Sequence, residues 1–106
     1  MKKYYRDNTS WVELQRFLPA EYRWQDDYGP AEEFRPWRNS TLHVERFANP
    51  DATHKVILLH GVGTNSRLLN RIAGAPLARA GFEVVAADMP FYGMTDNRET
   101  RISWDD

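Results

Sequence analysis

Four consecutive apolar residues, Val56-Ile57-Leu58-Leu59, stand between Lys55 and the run His60-Gly61-Val62-Gly63. A short unbroken apolar run, led by β-branched residues and closed by turn residues, predicts a strand over roughly residues 55–60, covered on both faces as in parallel sheets. Gly61 and Gly63 predict a tight loop after it, because glycine reaches φ > 0 and lets another group approach the main chain. Asn65 or Ser66 then offers a side-chain oxygen to cap the next helix. Such a loop presents backbone N–H groups outward, which suits an oxyanion hole or a phosphate cradle.

The same pattern organises the rest of the chain. Residues 66–80 read as helix, with Leu69, Ile72, Ala73, Pro76 and Ala80 on one face and Arg67, Asn70 and Arg71 facing elsewhere. Gly74 and Pro76 predict a kink or two short helices, and Gly81 the stop. Residues 82–87 (Phe-Glu-Val-Val-Ala-Ala) read as strand, so strand, helix and strand form one βαβ unit with a right-handed crossover. Upstream, residues 41–47 alternate Leu42 and Val44 against His43 and Glu45, which predicts a half-exposed strand. The turn signal Asn49-Pro50-Asp51 then suggests that it pairs antiparallel with the strand at 55–60.

Residues 1–38 form an aromatic and charged lead-in to a second region, 39–106. Ser10 and Glu13 have capping-box spacing, and Trp11, Leu14, Phe17 and Leu18 recur at helical spacing until Pro19. A short amphipathic helix over 10–18 is expected, packed on its own domain rather than on a partner or a membrane. Residues 21–38 mix Gly29, Pro30 and Pro36 with charges and aromatics without a period, and read as irregular coil. Residues 96–106 take no assignment.

Composition narrows the chemistry. The 106 residues suit one small domain. Charged residues make up 27% and hydrophobic ones 42%, a globular balance. Fourteen Lys and Arg against fifteen Asp and Glu give a net charge of −1, which leaves no electrostatic footprint for nucleic acid. The absence of cysteine removes disulfides, thiolate metal sites and a cysteine nucleophile. The start, Met1-Lys2-Lys3-Tyr4-Tyr5, leads into no apolar stretch of a signal peptide, and no run reaches the roughly 18 residues of a membrane span. A cytoplasmic protein without a metal is the expectation; oligomeric state is not legible.

The order of His60-Gly61-Val62-Gly63, then Gly81-Phe82-Glu83-Val84-Val85-Ala86-Ala87-Asp88-Met89-Pro90, then Gly93-Met94-Thr95 resembles the α/β-hydrolase superfamily over about residues 41–96. Phe91 stands where that family often has Gly, and Thr95 where it often has Ser. The resemblance implies the N-terminal part of an α/β-hydrolase sheet, a β-hairpin plus one βαβ unit, incomplete. It implies that the Val62 N–H is one donor of the oxyanion hole, where a preorganised dipole meets the charge forming on an attacked carbonyl. Gly61 and Gly63 would shape that loop, His60 would support it by hydrogen bonding, and Asp88 would fix the later loop. The resemblance also implies a small-molecule substrate for the full-length protein and no cofactor.

The triad is missing. No G-x-S-x-G occurs, and Ser10, Ser40, Ser66 and Ser103 all lack the strand-to-helix setting of a nucleophile. His43 and His54 read as surface histidines. The chain is therefore expected to be the N-terminal portion of a longer serine hydrolase acting on an ester, amide or similar bond, inactive by itself and prone to aggregate along its cut flank. Two alternatives stand beside this: a non-catalytic or truncated remnant on a hydrolase scaffold, and a Rossmann-like dinucleotide-binding module. The latter reads Gly61-Val62-Gly63 with Ser66 as an imperfect G-x-G-x-x-G, and Asp88 as the ribose-binding acid.

Overall fold

The computed structural model describes residues 3–23, 29–38, 40–90 and 92–95. The tail 96–106 with Ser103, and Phe91, Trp24 and Tyr28, lie outside the described residues. Those described form one four-stranded sheet, β1 (Ala31–Trp37), β2 (Ser40–Phe47), β3 (Lys55–Leu59) and β4 (Glu83–Ala87), in the order β1-β2-β4-β3.

The apolar runs become strands as expected, but their neighbours differ. β3 pairs parallel with β4, from Lys55 opposite Glu83 to Leu59 opposite Ala87. β2 pairs antiparallel with β4, from Val44 opposite Ala87 to Phe47 opposite Val84, and so does not pair with β3. The reason is burial. Val84 and Ala86 are fully enclosed, and a strand this apolar gains most from the centre of the sheet, between the two neighbours. β3 is left at the sheet's flank. Ile57 and Leu59 are 66% and 65% exposed on its open face, where cover on both faces was expected.

The hairpin of this sheet joins β1 and β2 through Arg38, which sits at φ 52°. β1 overturns the expectation of coil for residues 31–37. Its sequence lacks a period because it is an edge strand, and an edge strand also tolerates Pro36, which has no N–H to give a neighbour. Upstream, α1 (Thr9–Leu14) is capped by Asn8, whose Oδ1 accepts the Trp11 N–H at 2.8 Å. Asn8 therefore takes the role expected of Ser10 in a capping box. The helix ends in a 3₁₀ turn, Gln15–Phe17, and of its apolar residues only Trp11 is buried, while Phe17 is 71% exposed.

After β3, Asn65 caps α2 (Ser66–Leu69) by accepting the Leu68 N–H at 2.9 Å. A π-helical turn, Asn70–Gly74, leads into α3 (Ala75–Arg79), with Pro76 in its first turn. Two short helices thus replace one, as Gly74 and Pro76 predicted. Gly81 follows at φ 104°. The apolar core joins Phe47, Ala75 and Val84, with Leu58, Leu77, Ala78 and Phe82 around them.

The polar residues are where sequence and structure part most. Arg67, Asn70 and Arg71 were expected away from the core, yet all three are buried while Ile72 is 54% exposed. β2 was expected to be half exposed, yet His43 and Glu45 are fully enclosed and Val44 is buried too. Each polar set is the other's solvent: the polar row of β2 faces the polar side of α2 and the π turn. Among the described residues no helix is long and apolar enough to cross a membrane.

Candidate active site

The loop after β3 and the loop after β4 lie side by side, because parallel strands end at the same edge of a sheet. Ligands in open α/β sheets bind in the crevice outside those carboxyl ends. A cleft of about 590 Å³ opens there, lined by Leu59 at the end of β3, by His60, Gly61 and Val62 from the loop after it and Pro90 from the other, with Trp37 from β1.

His60 joins the two loops. The Met89 N–H donates to its Nε2 at 2.9 Å, so the ring proton must sit on Nδ1. Nδ1 lies 2.9 Å from the Gly61 carbonyl oxygen and donates to it. That carbonyl belongs to the same peptide plane as the Val62 N–H, and the two point in opposite directions. Holding one therefore aims the other. Val62 is 93% exposed, and among the described residues no hydrogen bond takes up its N–H. Gly63, at φ 81°, turns the chain in the left-handed region after Val62, whereas Gly61 keeps a φ open to other residues. The Tyr92 ring stands edge-on to His60, with centroids 5.1 Å apart.

Asp88 directly follows β4 and is fully enclosed. Its carboxylate accepts from the Ser66 N–H at 2.7 Å and the Met94 N–H at 2.9 Å. The Tyr5 hydroxyl donates to it at 2.9 Å, and His43 Nδ1 lies 3.0 Å from Oδ2. Thr95 Oγ1 donates to the Asp88 carbonyl at 2.6 Å and accepts the His43 N–H at 3.0 Å. A hydroxyl is what position 95 requires, which either Ser or Thr supplies. Gly93, at φ 54°, lies so close that a side chain would strike Tyr5 Oη and the Asp88 carboxylate.

His43 is no surface histidine. It is enclosed because the N-terminal segment covers that face of β2, with the Tyr5 and Phe34 rings edge-on to it. Its Nε2 lies 2.8 Å from Glu32 Oε1, so each ring nitrogen meets a carboxylate and the ring carries both protons. Burial opposes that charge, but Asp88 and Glu32 outweigh it and raise the His43 pKa to about 9. Burial likewise opposes ionisation of Asp88 and Glu32, yet their hydrogen bonds, His43 foremost, hold both below the usual carboxylate range. For Glu45 burial wins over the Arg67 guanidinium and raises its pKa to about 7. His54 is exposed, as expected.

Glu32, His43 and Glu45 bring ligand atoms within 4.8 Å of one another. Arg67 already bridges the two glutamates, 3.2 Å from Glu32 and 2.5 Å from Glu45, so an organic cation occupies the position a metal would take. The dinucleotide reading also loses its acid, since Asp88 is enclosed and its oxygens are engaged by protein donors. Tyr5 and Glu32 were missed by sequence reasoning. Glu32 falls in the stretch read as coil, and Tyr5 is separated from Asp88 by 83 residues, beyond the reach of any local period.

No family model and no curated protein matches the sequence. Solved structures do. The thioesterase domain from the curacin biosynthetic pathway is 24% identical, over 68% of this chain and 26% of its own, with a TM-score of 0.61. A CIB-like hydrolase from Thermoplasma acidophilum is 20% identical, over 66% of this chain and 34% of its own, with a TM-score of 0.58. The Cif epoxide hydrolase from Acinetobacter nosocomialis is 15% identical, over 82% of this chain and 25% of its own, with a TM-score of 0.57. This chain therefore spans between 25% and 34% of the length of these structures. The likeness is one of fold: the described residues form a partial α/β-hydrolase fold.

Proposed function

We propose that this partial α/β-hydrolase fold supplies the oxyanion side of a serine hydrolase acting by acyl transfer on an ester, amide or similar bond. The observation that carries the reading is the His60 bridge, which aims the Val62 N–H by holding the Gly61 carbonyl behind it. A donor fixed before reaction needs no reorganisation when charge forms on the attacked oxygen. The second donor and the attacking hydroxyl come from a G-x-S-x-G segment, which is not among these 106 residues. A histidine following that serine acts as base. His60 is not that base, because both its nitrogens are engaged in holding the loops. The thioesterase likeness supports an acyl bond as the one cleaved.

The test is hydrolysis of p-nitrophenyl butyrate by the 106-residue chain and by a version extended with a downstream G-x-S-x-G segment. Turnover by the extended version only supports the reading. Turnover by the chain alone overturns it, because the nucleophile would then lie within these residues.

A further inference from the structure

The N-terminal segment touches the site at its least exposed point, and the contacts form a continuous path. Glu32 accepts the Tyr5 N–H at 2.6 Å and the Arg6 N–H at 3.1 Å, which seats the segment on β1. From that seat the Tyr5 hydroxyl reaches the Asp88 carboxylate, and the His43 ring bridges Glu32 to Asp88. Asp88 holds the turn 92–95 through the Met94 N–H, and Gly93 lies against both Tyr5 Oη and that carboxylate. Two contacts lead on from there to His60: the N–H of Met89, the residue after Asp88, and the ring of Tyr92 in the turn.

We infer that Tyr5 and His43 are positioning residues for the loop that carries Val62, acting through Asp88 on the tautomer and orientation of His60. This rests on reading that loop as the oxyanion loop. The physical basis is the position of Asp88. An enclosed carboxylate must be satisfied by several donors at once, and here they come from the N-terminal segment, β2, the start of α2 and the turn 92–95. Removing one donor leaves the carboxylate to draw on the others, and the turn and Met89 shift with it. His60 keeps its single Nδ1–H form only while the Met89 N–H points at Nε2. The lead-in is thus part of the site, although among its described residues Trp37 alone lines the cleft.

The experiment needs no turnover. The histidine ring nitrogens of the intact 106-residue chain are recorded by ¹⁵N NMR in the parent, in Tyr5→Phe and in His43→Gln. The parent is expected to show two well-separated ring-nitrogen signals for His60, the mark of one tautomer. Both variants are expected to lose that separation, with the Met94 amide exchanging roughly tenfold faster or more. Should either variant fail to fold by circular dichroism, the other carries the test. Should both fail, the parent is titrated from pH 7 to pH 10, and the His60 signals are expected to move as His43 loses its charge. Unchanged His60 signals in a folded variant, or through that titration, overturn the inference. Failure of the ester-hydrolysis test above with these couplings intact overturns the oxyanion reading alone.

Discussion

His43 Nδ1 lies 3.0 Å from Asp88 Oδ2, and both residues are fully enclosed. With Glu32 on the other ring nitrogen, the imidazolium neutralises two carboxylates that burial alone would push towards their protonated forms. Its folded pKa of about 9 stands above the ordinary 6.5. A raised pKa in the folded state stabilises fully below the unfolded value, and that contribution fades as pH rises through the folded one. The melting temperature should therefore fall between about pH 6.5 and pH 9. His43→Gln, which does not titrate, should lower the melting temperature at pH 6.5 and flatten this alkaline limb. A pH series of thermal melts on the two proteins checks it, and an equal slope in both would remove His43 as its source.

Asp88→Asn keeps the shape and deletes the charge. It leaves the His43 ring with one anionic partner, and it replaces one of two accepting oxygens with an NH2 group that can only donate. Breaking one side of a buried ion pair costs roughly 3–5 kcal/mol. Urea unfolding should show a loss of that order. A change under about 1 kcal/mol would mean that the carboxylate is not ionised in the folded protein.

Two glycines separate strain from space. Gly63 and Gly93 both have positive φ, but a Cβ at Gly63 meets nothing within 4 Å, whereas one at Gly93 collides with Tyr5 and Asp88. Gly63→Ala should cost about 1–2 kcal/mol, the backbone penalty alone. Gly93→Ala should cost a further 1–3 kcal/mol or so for overpacking. Denaturant melts of the two variants make the comparison, and equal costs would refute the close packing at Gly93.

The flank at β3 should govern association. Ile57 and Leu59 stand exposed on a strand whose outer edge has no neighbour among the described residues. Such an edge templates pairing with other chains. The mean mass by light scattering should rise with protein concentration, and Ile57→Lys should suppress the rise. Ile72→Lys, exposed on the π turn away from that edge, should not.

In an extended, active version, Val62→Pro removes the N–H that would meet the developing oxyanion. The value of kcat should drop by about 10²–10³. Circular dichroism should stay unchanged, since Val62 packs against little else. Retained kcat would place the oxyanion elsewhere.

The sequence made the apolar half of this molecule legible. The runs at 55–59 and 83–87, the Asn65 cap and the Gly81 stop depend on local chemistry, and each appears where its residues point. The polar half was not legible, for one physical reason. Alternation tells which residues share a face but not whether water or another polar row meets that face. His43 and Glu45 were read as solvent-facing, as were Arg67, Asn70 and Arg71, when each group covers the other. β1 was lost because an edge strand carries no strict period and because Pro36 argues for coil. At the candidate site, His60, Val62 and Asp88 were picked out by the resemblance to a family pattern. Tyr5 and Glu32 had no pattern to belong to.

The hydrogen bond from Tyr5 to Asp88 spans 83 residues. The Tyr5 hydroxyl has no home until Asp88, made 83 residues later, is in place. Local turns and helices can form meanwhile, but this ring closure carries the loop-entropy cost of 83 residues. Placement of the Tyr5 hydroxyl is therefore a late folding event, and during synthesis it cannot occur until β4 and Asp88 have left the ribosome. Until then the Glu32 seat on β1 is what holds Tyr5, and its ring stays open to a chaperone.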